Sequence, residues 1–146
     1  MDNEMTLKFL AISENEALAR LAMTSFITPL DPTIDVLDEC KTIVSEAVSN
    51  AIIHGYDGVP VGYVTLHAMR KDDCIFVTVQ DDGVGIGNVE QAREPLYTTK
   101  EHLERSGMGF TIMESFSDDF QIESAVGVGT KVTFTKTIRA HCPAAM

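Results

Sequence analysis

From the N-terminus onward the apolar positions change period several times, and each change marks a new element. Thr6 to Ile12 alternates apolar with polar, which predicts a short strand. Ser13-Glu14-Asn15-Glu16 then has the spacing of a capping box, with Ser13 as N-cap and Glu16 reaching back to it. A helix is predicted over Glu14–Phe26, with Ala17, Leu21, Ala22 and Phe26 facing inward and Arg20 off that face; Pro29 ends it. Asp31-Pro32-Thr33 opens a second, longer helix with the proline in its first turn. Val44, Ala47, Val48, Ala51 and Ile52 recur there at helical spacing, and Gly55 is the expected C′ residue.

Asp57-Gly58-Val59-Pro60 reads as a turn. Two strands follow, 62–70 and 74–80, joined as a hairpin through Lys71-Asp72-Asp73. The second runs into Asp81-Asp82-Gly83-Val84-Gly85-Ile86-Gly87, and a short helix is predicted over Asn88–Arg93. Residues 94–106 have no periodicity and carry Pro95; a loop of that length usually has a function. Gly107-Met108-Gly109 leads into a third helix, Phe110–Phe116, and two strands, Phe120–Ser124 and Thr130–Ile138, flank the turn Gly127-Val128-Gly129. The expectation is one domain over residues 1–146, with 139–146 a disordered tail. The order β-α-α-β-β-α-β-β predicts an α+β fold. It is a two-layer sandwich whose single sheet is mixed but largely antiparallel, with helices on one face.

Composition narrows the partners. The chain has 146 residues and is 45% apolar, enough for its own core. Its 22 acidic and 11 basic residues leave a formal charge of −11. Such a surface repels nucleic acid phosphates and suits a basic protein partner. Cys40, Cys74 and Cys142 lack metal-type spacing, and Cys40 and Cys74 read as small buried hydrophobes. Neither a signal peptide nor a transmembrane run is present, which leads to the expectation of a soluble, cytoplasmic protein without membrane contact.

The candidate chemistry begins on the second helix. Glu46 and Asn50 are four residues apart, so they share one helical face with Cβ atoms about 5–6 Å apart. No Walker-type P-loop occurs, and Gly83-x-Gly85 does not have dinucleotide spacing. Asp81 and Asp82, directly before these glycines, would repel a pyrophosphate. A carboxylate there instead suits the exocyclic amine of adenine and disfavours the carbonyl of guanine. The base is therefore expected at Asp81, with Gly83 and Gly85 letting the backbone approach the ring. Phosphates need donors, which Ser106-Gly107-Met108-Gly109 offers at a helix start, with Lys100 and Arg105 just before it. Asn50 offers a neutral oxygen to Mg²⁺, and Glu46 is placed to take a proton from an attacking hydroxyl. His54 reads as a structural histidine at a helix end.

These stretches resemble the boxes of a known superfamily. Glu46-Ala-Val-Ser-Asn50-Ala-Ile-Ile-His54-Gly55-Tyr56 resembles the N box of the Bergerat-fold ATPases and kinases, which include gyrase and the histidine kinases. Asp81–Gly87 and Ser106–Phe110 resemble its two glycine boxes. With Pro95-Leu-Tyr-Thr-Thr-Lys100 and the segment 127–134, the set is most similar to the bacterial anti-sigma factor serine kinases, in particular those of spore-forming Gram-positive bacteria. The resemblance implies a homodimer that binds ATP or ADP with Mg²⁺. It implies inhibition of a sigma factor and serine phosphorylation of an anti-anti-sigma protein. Carried over by motif, Glu46 is the catalytic base and Asn50 the magnesium ligand. The nucleotide is met by Asn50, Asp81, Gly83, Gly85, Thr99, Lys100, Arg105, Ser106, Gly107, Met108, Gly109 and Thr130. Arg20 is a candidate partner contact. Gly87 stands where many relatives carry proline, a departure that bears on the following hinge and on no chemical role.

Two other readings stay open on the sequence: a related general-stress anti-sigma kinase, and a non-catalytic, nucleotide-gated binding module. A histidine-kinase or ATPase fragment would require further domains for which the chain has no room.

Overall fold

In the computed structural model, residues 2–56, 61–94 and 109–139 are described. The element order is β1 (Asn3–Leu10), α1 (Glu14–Ile27), a 3₁₀ turn (Thr28–Leu30), α2 (Ile34–Asn50), a π-helical turn (Ala51–Gly55), β2 (Tyr63–Lys71), β3 (Cys74–Asp81), α3 (Val89–Ala92), α4 (Gly109–Phe116), β4 (Asp119–Ala125) and β5 (Gly129–Thr137). The strands form one sheet in the order β1-β2-β3-β5-β4. All four pairings are antiparallel, so the expected parallel minority does not occur among the described residues. The two-layer α+β prediction holds.

Alternation sets which face is covered. Val64, Leu66 and Ala68 of β2, Ile75, Val77 and Val79 of β3, and Val132 and Phe134 of β5 are buried under the helices. Met69 and Phe76 on the opposite face are exposed. The β2–β3 hairpin turns at Asp72 and Asp73, whose φ values of 52° and 66° give the twist that two-residue hairpins need. On α2, Cys40, Ile43, Val44, Ala47 and Val48 form the buried face. Burial pushes the Cys40 thiol up to about 12, so it is inert packing. Cys74 is only half buried, because it opens β3 at the sheet margin.

Several local expectations are corrected. Ser13 makes no capping hydrogen bond; Glu16 instead accepts from the Ser45 hydroxyl of α2 and pairs with Arg20. On α1 the buried residues are Ala19, Met23, Phe26 and Ile27, while Ala17 and Leu21 face outward. That helix is apolar on several sides, so periodicity alone does not fix its phase; packing on α2 does. Strand β1 runs earlier than Thr6–Ile12. Thr33 is the N-cap of α2, accepting from Val36 N–H at 3.2 Å, so Pro32 precedes the helix. Arg139, assigned to the tail, donates to the Leu30 carbonyl at 2.8 Å. Residues 140–146 lie outside the described set.

Candidate nucleotide site

The end of α2, the start of α4, and the loop between β3 and α3 enclose a cavity of about 550 Å³. Asn50, His54, Gly55, Asp81, Gly85, Gly109 and Thr130 are among its lining residues. Volume of this order matches a small-molecule site.

One end is built around Asp81, the last residue of β3, paired in the sheet with Thr130. Its side chain is 5% exposed and accepts from Gly83 N–H at 2.9 Å. Burial raises its pKa; backbone hydrogen bonds from Gly83 and Thr130 act against this, and the neighbouring Asp82 adds to the rise. The result is a desolvated carboxylate facing a cavity, a group that strongly prefers a hydrogen-bond donor.

Close packing explains the glycines. A Cβ on Gly55 would lie 2.8 Å from Asp81 Oδ1, and one on Gly83 would overlap the Gly55 carbonyl. Gly55 is thus not the left-handed C′ residue expected; it ends a π-helical turn and makes room for Asp81. π-Helical turns often mark functional sites. Val84 N–H donates to the Gly55 carbonyl at 2.9 Å, and Gly127 N–H to the Val84 carbonyl at 2.8 Å. Gly85 has φ 78° and abuts the Ala125 carbonyl, where any side chain would clash.

Sequence reasoning missed two residues here. The Tyr56 hydroxyl accepts from Asp82 N–H and donates to the Tyr63 carbonyl, both at 2.8 Å, and so fixes the turn beyond Asp81. Ser124 on β4 accepts from Ile86 N–H at 2.7 Å and lies 2.8 Å from Thr130 Oγ1. No motif signals Ser124, because its partners are distant in sequence and meet only through strand register.

At the other end Asn50 and Gly109, the first residue of α4, line the cavity; Glu46 is not among its lining residues but reaches the same glycine. A Cβ on Gly109 would lie 3.1 Å from Glu46 Oε2 and 3.2 Å from Asn50 Nδ2. A carboxylate and an amide therefore flank a helix start that would carry anionic groups. Among the described residues no group of three His, Cys, Asp or Glu gathers to hold a metal by itself. Mg²⁺ suits such a place, because it takes few protein ligands and completes its shell with phosphates and water. Thr99, Lys100, Arg105, Ser106, Gly107 and Met108 lie outside the described residues. Arg20 is not among the residues lining the cavity; its Nε sits 3.0 Å from Glu16 Oε1 on α1. His54, left out of the predicted site, does line it.

A family profile described as the histidine kinase-like ATPase domain matches residues 10–136. An anti-sigma F factor from Lysinibacillus sphaericus is 65% identical over 93% of both chains. Another, from Oceanobacillus iheyensis, is 56% identical over 94% of both. The chain belongs to the anti-sigma F factor family. Solved structures agree on the fold. The catalytic domain of the histidine kinase ThkA superposes with a TM-score of 0.57 at 17% identity, covering 92% of this chain and 96% of that one. The RsbU and RsbW domains of Rv1364c from Mycobacterium tuberculosis give 0.63 at 17%, covering 91% of this chain and 31% of that one. This member of the anti-sigma F factor family therefore carries a histidine kinase-like ATPase fold. Among its described residues, no helix is long and apolar enough to cross a membrane.

Proposed function

We propose that this protein holds a sporulation sigma factor, sigma F, inactive. With ATP and Mg²⁺ it also phosphorylates a serine on the anti-anti-sigma protein that opposes it. Asn50 and Gly109 line one end of a cavity whose other end is Asp81, and Glu46, beside that lining, converges with Asn50 on Gly109; this arrangement carries the reading. Asp81 accepts from the exocyclic amine of adenine. Asn50 supplies one oxygen to Mg²⁺, which neutralises phosphate charge when bound. Glu46 takes the proton from the serine hydroxyl as it attacks the γ-phosphorus, and ADP leaves. Six residues outside the described set, Thr99, Lys100, Arg105, Ser106, Gly107 and Met108, are proposed to contact the phosphates. A formal charge of −11 suits capture of a basic sigma factor in the cytoplasm, by a homodimer, without direct nucleic acid contact. Arg20 is the proposed partner contact.

The test is Glu46→Ala, assayed with labelled ATP and a purified anti-anti-sigma substrate. Phosphotransfer falls by about 10³-fold while ATP affinity is retained. Unchanged transfer removes Glu46 from its role. No transfer by the unaltered protein, despite tight ATP binding, leaves the nucleotide-gated binding module.

A further inference from the structure

We infer that Ser124 is a positioning residue for base selectivity, because it consumes the hydroxyl proton of Thr130 and turns that side chain into a hydrogen-bond acceptor. The inference rests on the proposed placement of the base at Asp81. A serine hydroxyl has one proton and two acceptor sites. Ser124 Oγ lies 3.0 Å from the Gly129 carbonyl, which can only accept, so the serine proton goes there. Its two acceptor sites are then filled by Ile86 N–H at 2.7 Å and by the hydroxyl of Thr130 at 2.8 Å. Every hydrogen-bonding position of Ser124 is used.

Thr130 has then given away its donor. It stands across from Ser124 in the β4–β5 register and beside Asp81 in the β3–β5 register. The cavity wall at this point consists of a buried carboxylate and a threonine oxygen, both with lone pairs to offer. Such a wall accepts from an amine and repels a carbonyl, which leaves unpaired groups on both sides. Asp81 alone gives part of this discrimination. Ser124 adds to it by preventing Thr130 from rotating its proton toward a ligand carbonyl. The same hydroxyl anchors Ile86, so it also sets the height of the glycine loop over the cavity.

Calorimetry with ATP and ITP, which differ at the six-position of the base, tests this without any phosphotransfer. In Ser124→Ala the Thr130 proton is released, ITP gains a donor, and the preference for ATP over ITP narrows by about tenfold, the worth of one hydrogen bond. Ser124→Thr keeps the hydroxyl and keeps the preference. If Ser124→Ala does not fold, Ser124→Cys is read the same way, since a thiol is a weak donor and acceptor. Equal weakening of both nucleotides overturns the inference and leaves Ser124 as a loop anchor only. Failure of the underlying base placement looks different: Asp81→Asn then binds ATP as tightly as the unaltered protein.

Discussion

The two ends of the cavity are held by different physics. At the Asp81 end, backbone does the holding: Gly83 N–H, the Gly55 carbonyl and the β3–β5–β4 register fix a buried carboxylate among atoms that cannot rotate away. At the Glu46 end, two half-buried side chains project from one helical face toward the start of another helix. The first arrangement suits recognition, where the same shape must be ready before the ligand arrives. The second suits chemistry, where a proton acceptor and a metal ligand must adjust as charge moves. The proposed base site and the proposed reacting site thus lie close together without sharing a mode of support.

The same small substitution therefore has different consequences at the two ends. Gly83→Ala puts a methyl into the Gly55 carbonyl, for which no side chain can give way. We expect about 3 kcal/mol of lost stability, read by urea unfolding of ligand-free protein. A loss below about 0.5 kcal/mol, the scale of a surface substitution, would mean that the Asp81 end is not rigid. Asp81→Asn comes next, lowering ATP affinity roughly hundredfold in calorimetry by weakening a charge-assisted hydrogen bond and its desolvated acceptor. Gly109→Ala places its methyl 3.1 Å from Glu46 Oε2, an atom on a side chain that can yield. Phosphotransfer should fall about tenfold with little change in unfolding free energy, because misplacement of a reacting group costs rate before stability. A large stability loss there would erase the contrast between the ends.

The smallest effect is a pH dependence. Burial raises the Asp81 pKa above its ordinary value of 3.8, so the folded chain holds this proton longer than the unfolded chain does. The stability that the protonated form retains at low pH is lost as pH rises from the unfolded value through the raised folded one, and stays lost above it. Ligand-free Asp81→Asn lacks that decline. Parallel unfolding curves for the two proteins across this window would show that Asp81 is not desolvated in the free protein.

Legibility in the sequence follows the range of the interaction. Helix α2 and the π-helical turn after it are readable because their apolar repeat has one phase: Val44, Ala47 and Val48, then Ala51 and Ile52, are all buried as expected. Helix α1 is not, because Ala17, Leu18, Leu21 and Ala22 offer apolar surface on several sides. Leu21, expected inside, is 68% exposed. The glycine loop after β3 is locatable from composition, whereas the need for glycine at position 55 is not. The role of Gly55 depends on Asp81, twenty-six positions later, whose carboxylate occupies the space where a Cβ would be.

Local order, spacing and chemical type were settled by the chain itself: which residues form helices and strands, that Glu46 and Asn50 share a face, and that Asp81 precedes two glycines. These depend on periods of a few residues and on intrinsic side-chain chemistry. Only the tertiary fold decided that Gly109 meets Glu46 where α4 packs on α2, that Tyr56 braces Asp82, and that Ser124 stands behind Thr130. Those contacts join segments whose separation along the chain carries no periodic signal, and they exist only once register and close packing bring the segments together.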